Sequence, residues 1–363
     1  MSDFLNKDIQ LQDVVVIDKD LKTDQTRTPF LRNSGRFVQI SKIHNRSFKD
    51  AVIGDRVLWA DEFNNKFMTL NVKGRPPKGS TPYLEEDKYS YHNVRTHWLC
   101  DTTNVFRTET VSNFLRSNGL ATERIRRKSV IKQFELNGQM VDAINFKKYL
   151  ISQIPEVDRK KYEDYLNEVD FYEIEREMPV DERIEDLLYV NIKSGKKVRK
   201  VLEPTFKYLK LVDGIDLDVK INEDVKLFFT KVLPEKMGKF LGKFHDLGLE
   251  HMYAGGKNWI LAGKLIDLDS VYGLPFGDDA PTDWEIEVDL DQTLGAISTI
   301  FMNNTKGEPG FIQSLFGDKD LDIRKVVDIA NNSFLHAYMS TRNVSKNYIF
   351  EHIDQDNVDL GKF

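Results

Sequence analysis

The spacing of hydrophobic and polar positions changes character along the chain. Between Gly35 and Val72 the apolar residues fall in short runs, Arg36–Ile40, Arg56–Asp61 and Lys66–Val72, rich in β-branched and aromatic side chains. Gly54-Asp55 and Asn64-Asn65 interrupt them, so the stretch predicts strands joined by tight turns. The period then lengthens. Val111, Phe114 and Leu115 stand at i, i+3 and i+4 and predict a helix over Thr108–Asn118, with Gly119 just past its end. Ile125–Leu136 reads as another strand. Residues 140–190 are highly charged and read as helical, in the pieces Phe146–Ile154, Asp158–Val169 and Asp181–Leu188. Helices are predicted again over Asn222–Val232 and Pro234–Leu247, the second opening on a proline whose missing N–H costs nothing there. Two short apolar arms, Trp259–Ala262 and Leu265–Leu268, flank Gly263-Lys264 and predict a hairpin. An acidic loop, Asp278–Asp291, then leads to helices near Gln292–Met302 and Leu321–Tyr338. Residues 1–34 read as an arm or edge segment, 74–104 as loop, and the basic run Lys193–Lys200 as a solvated turn.

This order predicts an α+β fold of two lobes with a ligand cleft between them. Residues 1–135 would form a β-rich N-terminal lobe, 136–221 a charged helical insertion and hinge region, and 222–363 a helical C-terminal lobe. With 363 residues there is ample material for such cores. A net charge of −6, from 52 Lys+Arg and 58 Asp+Glu, gives no electrostatic case for nucleic acid or an anionic membrane as partner. The single cysteine, Cys100, excludes an internal disulfide framework and a cysteine-based zinc site. The polar start and the lack of any run near the ~18 apolar residues of a membrane span point to a cytoplasmic protein.

The hairpin carries the candidate chemistry. Asn258 lies just before the first arm and Asp267 near the end of the second, so the turn returns them to one place. An amide oxygen and a carboxylate converging there would suit Mg2+ or Mn2+, with phosphate and water supplying the remaining ligands. An ordinary hairpin with polar turn residues is the competing reading. Protein kinases hold metal with an Asn and an Asp in this way. His251 and Asn258 also have the separation of the kinase catalytic loop, but Tyr253 stands where kinases carry the aspartate base. A phenol is a poor proton acceptor at neutral pH.

Three segments, in order, resemble the selenoprotein O family. The first is Thr69-Leu-Asn-Val-Lys73-Gly74, followed by Pro76-Pro77 and Thr81-Pro82-Tyr83. The second is Phe106-Arg107 entering a helix that ends Asn118-Gly119-Leu-Ala-Thr122-Glu-Arg124. The third is the nine-residue separation of Asn258 and Asp267. The resemblance implies a two-lobed, protein-kinase-like fold with a β-rich N-lobe, a helical C-lobe and a helical insertion. It also implies AMP transfer from ATP to a hydroxyl side chain. The chain departs from the family at Lys257, where an aspartate precedes the metal-binding asparagine, and at Asp267-Leu268-Asp269, where the family has Asp-Tyr-Gly. It also lacks a C-terminal cysteine and reads as a shorter, divergent relative.

On this resemblance Lys73 would contact the nucleotide phosphates, Glu109 would orient Lys73 from the following helix, and Asn258 and Asp267 would hold the metal. Asp269 would act as base or bind a second metal; a helix-capping role competes. Arg126 and Arg127 are candidate phosphate ligands, with Arg199 a third. The expected partners are ATP and an unknown protein or small-molecule hydroxyl acceptor, with no nucleic acid and no membrane. A small-molecule or protein kinase, and a pseudokinase-like nucleotide-binding or scaffold protein, stand as alternatives.

Overall fold

The computed structural model describes residues 14–16, 49–53, 56–63, 66–74, 82–86, 93–97, 99–120, 122–136, 139–180, 182–185, 187, 195–302, 315–318 and 320–343. The chain is a mixed α and β protein, as expected, and divides into two compact units. One comprises Met1–Asp61, Thr69–Phe114 and Glu123–Met178, and the other Glu62–Met68, Leu115–Thr122 and Pro179–Phe363. The segment 136–221, expected as an insertion, is shared between them.

The first unit is built on a largely antiparallel sheet. Its strands are β1 (Val14–Val16), β2 (Lys49–Ile53), β3 (Arg56–Phe63), β4 (Lys66–Lys73), β7 (Cys100–Asp101), β8 (Arg124–Leu136), β9 (Gln139–Asp142) and β10 (Phe171–Met178). The spatial order is β1-β8-β10-β4-β3-β2, with β7 beside β10 and β9 beside β8. Ile53 pairs with Arg56 in register, and β2 was not among the strands expected from the sequence. A separate hairpin, β5 (Tyr83–Glu86) with β6 (Val94–His97), lies in the stretch read as loop. The strand predicted at Arg36–Ile40 lies outside the described residues.

The largest departure is β10. Phe-Tyr-Glu-Ile-Glu-Arg-Glu-Met was read within a helical region, since Glu and Arg are good helix formers. It is instead an inner strand, between β4 and β8. Two of its charged side chains, Glu173 and Arg176, are buried. Arg176 Nη1 donates to Glu123 Oε2 at 2.7 Å, with both side chains almost wholly enclosed. Tertiary burial overrides local propensity here.

Helix α1 (Thr102–Ser117) begins before its apolar period does, because Asp101 caps it. Asn104 N–H donates to Asp101 Oδ1 at 2.9 Å and Asn104 Oδ1 accepts from Asp101 N–H at 3.2 Å. Asp101 also accepts from the hydroxyl of Tyr165, on α3 (Arg159–Glu168). Beside this, Phe134 of β8 stacks on Phe146 of α2 (Ala143–Ser152) with centroids 3.9 Å apart, and Phe171 meets both edge-on. Such aromatic clusters contribute beyond the area they bury.

The second unit is mainly helical. It contains α4 (Gly195–Tyr208), α5 (Asn222–Leu227), α6 (Leu233–Asp246), α7 (Asp283–Met302) and α8 (Ile323–Arg342). The two helices predicted across 222–247 form one continuous rod through a π turn at Phe228–Val232. Pro234 cannot donate to the ladder and would crowd the carbonyl four residues back; the wider turn relieves this. Gly238 lets α6 approach α8 closely, since a Cβ there would lie 2.3 Å from the carbonyl oxygen of Phe334. The basic run 193–200, read as a turn, enters α4. The acidic loop is a loop only to Thr282. Thr282 N–H donates to Glu285 Oε2 at 2.7 Å, and Glu285 N–H to Thr282 Oγ1 at 3.3 Å, a capping box that starts α7 at Asp283. No described helix is long and apolar enough to cross a membrane.

Removing one partner of an enclosed ion pair leaves a buried charge without its counter-ion. Glu123→Ala is therefore expected to cost about 3–5 kcal/mol, read from urea unfolding followed by circular dichroism. A loss below about 1 kcal/mol, the range of an exposed pair, would show that the sheet does not depend on this bridge.

Candidate functional site

The candidate site lies in the second unit, after α6. The chain passes through β11 (Leu249–Glu250), a loop over 251–258, β12 (Trp259–Ile260), a turn, β13 (Lys264–Leu265) and then Asp267. Trp259 pairs with Leu265 and Ile260 with Lys264, and Ile266 N–H donates to the Asn258 carbonyl at 2.9 Å. That register sets Asn258 opposite Ile266, next to Asp267. The two residues singled out from their spacing are thus brought to the same end of one hairpin.

The loop is fixed from below. His251 is fully buried; its N–H donates to Asp289 Oδ2 of α7 at 2.8 Å, and its Nε2 lies 2.8 Å from the Ile266 carbonyl. His251 therefore packs and bonds backbone, as expected. Met252 takes a left-handed conformation, and its carbonyl accepts from Gln292 Nε2 at 3.0 Å. Trp259 Nε1 donates to the Ala254 carbonyl at 2.8 Å, and Asn258 N–H to the Gly255 carbonyl at 2.9 Å. His245 is also buried, its Nδ1 2.8 Å from the Tyr338 hydroxyl and its Nε2 3.4 Å from Asp289 Oδ2. Burial lowers its pKa, although Asp289 opposes the shift.

Arg183 was not anticipated as part of this site. Of the helix expected over Asp181–Leu188, Leu187 is helical, whereas Glu182 and Arg183 run beside β12 and Ile184 and Glu185 turn away from it. Arg183 bridges Ile260, Leu261 N–H donates to the Glu182 carbonyl at 2.7 Å, and Ile184 N–H to the Trp259 carbonyl at 3.0 Å. Arg183 Nη1 donates to the Lys257 carbonyl at 2.7 Å and lies 3.9 Å from Asp267 Oδ2. An arginine within a charged, helix-like sequence carries no local signal of such a role.

The donor atoms at the hairpin end are distinctive. Asn258 is 2% exposed, and its Nδ2 donates to the Tyr253 carbonyl at 2.8 Å. Its Oδ1 is buried and accepts no hydrogen bond among the described residues. An enclosed carbonyl oxygen without a donor is costly. Asp267 adopts φ 63°, ψ 52°, a conformation rare outside glycine and asparagine and found at functional sites. An amide oxygen and a carboxylate thus sit on neighbouring positions at one end of the hairpin, the types of hard oxygen ligand that Mg2+ or Mn2+ takes alongside phosphate and water. Among the described residues no group of three His, Cys, Asp or Glu could hold a metal unaided.

Other expected residues fall differently. Lys73 ends β4 in the first unit, partly exposed, opposite Ile174 of β10. Gly74 follows in a left-handed conformation, and a Cβ there would strike the Tyr172 carbonyl oxygen at 2.0 Å. Glu109 lies on α1. It pairs at 2.8 Å with Lys128 of β8, whose side chain is 1% exposed. The helix register that placed Glu109 toward Lys73 could not anticipate a buried lysine on the next strand. Asp269 lies in a short 3-10 turn, Leu268–Ser270, so the strand alternation expected to carry it to the Asp267 face ends at Asp267. Arg126 and Arg127 sit on β8, and their side chains lie outside the described residues. Arg199 is committed to structure, donating to the carbonyls of Val219 and Leu315 and to Asn222 Oδ1. Cys100 is a buried thiol.

Compared with known proteins, the chain matches no family model and no curated protein.

Glu250, just before the loop, supplies a test of the packing beneath it. Burial, then the neighbouring carboxylates of Glu285 and Asp289, push its carboxyl from 4.5 up to about 8. A proton held more tightly in the folded state gives stability that is complete below pH 4.5 and lost as pH rises through about 8. Glu250→Gln keeps the neutral form. Its urea midpoint is expected to match the parent's at pH 4.5 and to exceed it increasingly toward pH 8. A difference that does not change with pH would overturn this assignment.

Proposed function

We propose that the hairpin end formed by Asn258 and Asp267 binds a divalent cation together with ATP, and that the chain is an ATP-dependent transferase of two-lobed, protein-kinase-like fold. The observation that carries this reading is the buried, unpartnered Oδ1 of Asn258 beside the left-handed Asp267. Further support comes from the order of elements: a strand ending in Lys73, a helix, the remaining strands, then a helical unit whose loop and hairpin carry His251, Asn258 and Asp267. Protein kinases distribute their phosphate lysine and metal ligands along the chain in this order.

The cation, Mg2+ or Mn2+, would shield the phosphate oxygens and the charge that develops as a phosphorus–oxygen bond breaks. Asn258 and Asp267 would hold it, and Lys73 would contact the phosphates. The resemblance to the selenoprotein O family favours AMP transfer. There an acceptor hydroxyl oxygen bonds to the α-phosphorus, the bond to the β-phosphate oxygen breaks, and pyrophosphate leaves. Asp269 is the carboxylate we propose for the hydroxyl proton, carried past Asp267 by the 3-10 turn at Leu268–Ser270 and not by strand alternation. Most of the rate would come from positioning and electrostatics.

A second reading, a nucleotide-binding or scaffold protein without turnover, is favoured by one observation. The loop has a phenol, Tyr253, and an ammonium, Lys257, where related enzymes place carboxylates, and Lys257 Nζ rests 5.7 Å from the Tyr253 ring centroid.

Incubation of the protein with Mg2+ or Mn2+ and ATP labelled on the α- or the γ-phosphate separates these readings, with Asp267→Ala beside it. The expected result is α-label retained on protein and lost in the variant. γ-Label alone would make it a kinase. Transfer of neither label would rule out self-modification, and calorimetric ATP binding that depends on Asp267 would then favour the second reading.

A further inference from the structure

We propose that Lys257 is a phosphate ligand of the same site, so that the loop over 253–258 binds the anion instead of supplying a base. This inference rests on the nucleotide–metal reading above.

Lys257 is exposed and immediately precedes the enclosed Asn258. The peptide that follows it is fixed at both its groups: Arg183 Nη1 donates to the Lys257 carbonyl at 2.7 Å, and the Asn258 N–H closes a tight turn on the Gly255 carbonyl at 2.9 Å. Its ammonium lies over the ring of Tyr253, and the carbonyl of Tyr253 accepts from Asn258 Nδ2. One residue thus steadies both the cationic side chain and the amide whose oxygen faces no donor. Among the described residues no carboxylate pairs with Lys257. An aromatic face holds an exposed ammonium by only about 0.5–1 kcal/mol, so the charge stays free to meet an anion.

There is room for one. A Cβ built on Gly255 would meet no atom within 4 Å, so that side of the loop is open. The charges also favour it. Asn258 is neutral, and the Asp267 carboxylate has Arg183 at 3.9 Å. A triphosphate carries more negative charge than one divalent cation neutralises, and an ammonium on a fixed backbone beside the cation's ligands offsets part of the remainder. A carboxylate at position 257 would repel the same phosphates.

The test is calorimetric titration of the full chain with Mg2+·ATP and with Mg2+·pyrophosphate, comparing the parent with Lys257→Met, Lys257→Arg and Asp267→Ala. A charge-assisted contact predicts that Lys257→Met weakens both ligands about ten- to hundredfold. Lys257→Arg, which keeps the charge, should stay within about threefold of the parent. The unliganded melting temperature of Lys257→Met should match the parent's, because the side chain is exposed. Affinity of Lys257→Met equal to the parent's, with Asp267→Ala still weakened, would overturn the role of Lys257 and leave the metal–nucleotide reading standing. Equal weakening in Lys257→Met and Lys257→Arg would also overturn it, since charge would then not matter. No binding to the parent would remove both.

Discussion

One buried carboxylate, Asp289, governs the geometry of the second unit's functional end. It accepts the N–H of His251, approaches His245, and sits one helical turn before Thr293, whose hydroxyl lies 3.2 Å from Trp259 Nε1. An acceptor enclosed in this way must be satisfied by fixed donors. The backbone at His251 is therefore tied to α7, and His251 in turn holds the carbonyl of Ile266. From there the positions of Asn258 and Asp267 follow through the hairpin register. The chemistry of the site is displayed at the surface, but its coordinates are set in the interior.

The same arrangement concentrates unfavourable local states in a short stretch. Met252 and Asp267 both hold left-handed conformations, and the oxygen of Asn258 goes without a donor. Each costs free energy, and each persists because neighbouring bonds over-determine it. The donors that close around the loop come from three places: Arg183 from the segment after β10, Gln292 from α7, and Trp259 from the hairpin itself. Strain collected at one point and supported from several is the expected signature of a preorganised binding site.

Features governed by local rules were legible in the sequence. Helices α2, α3, α6 and α8 follow from apolar period, and so does the presence of a hairpin at 259–265, although its turn falls at 261–263 and Lys264, expected in the turn, pairs with Ile260. The meeting of Asn258 and Asp267 follows too, because a hairpin fixes separation by count. Features governed by partners distant in sequence were not legible. β10 is rich in helix-forming glutamates and becomes a strand because β4 and β8 enclose it. Arg183 acquires its role from a loop that follows it much later in the chain. The pairing of Glu109 with Lys128 was not legible either, because only the folded sheet shows that Lys128 is buried. The start of α7 was different in kind: the Thr-x-x-Glu capping box was present at Thr282–Glu285, and the acidic composition around it obscured the signal.

The position of β10 has a consequence for how the chain reaches its fold. This strand lies between β4 and β8, yet it is the last of the described strands of its sheet to be made, and Lys73 must wait for Ile174. Until residue 178 has left the ribosome, the hairpins on one side and the long β8 on the other have open inner edges. Pairings so distant in sequence form slowly, and unpaired strands invite the wrong neighbour. The first unit is thus a late-closing structure, whose yield in the cell depends on how well its two halves are kept apart from other chains before the central strand arrives.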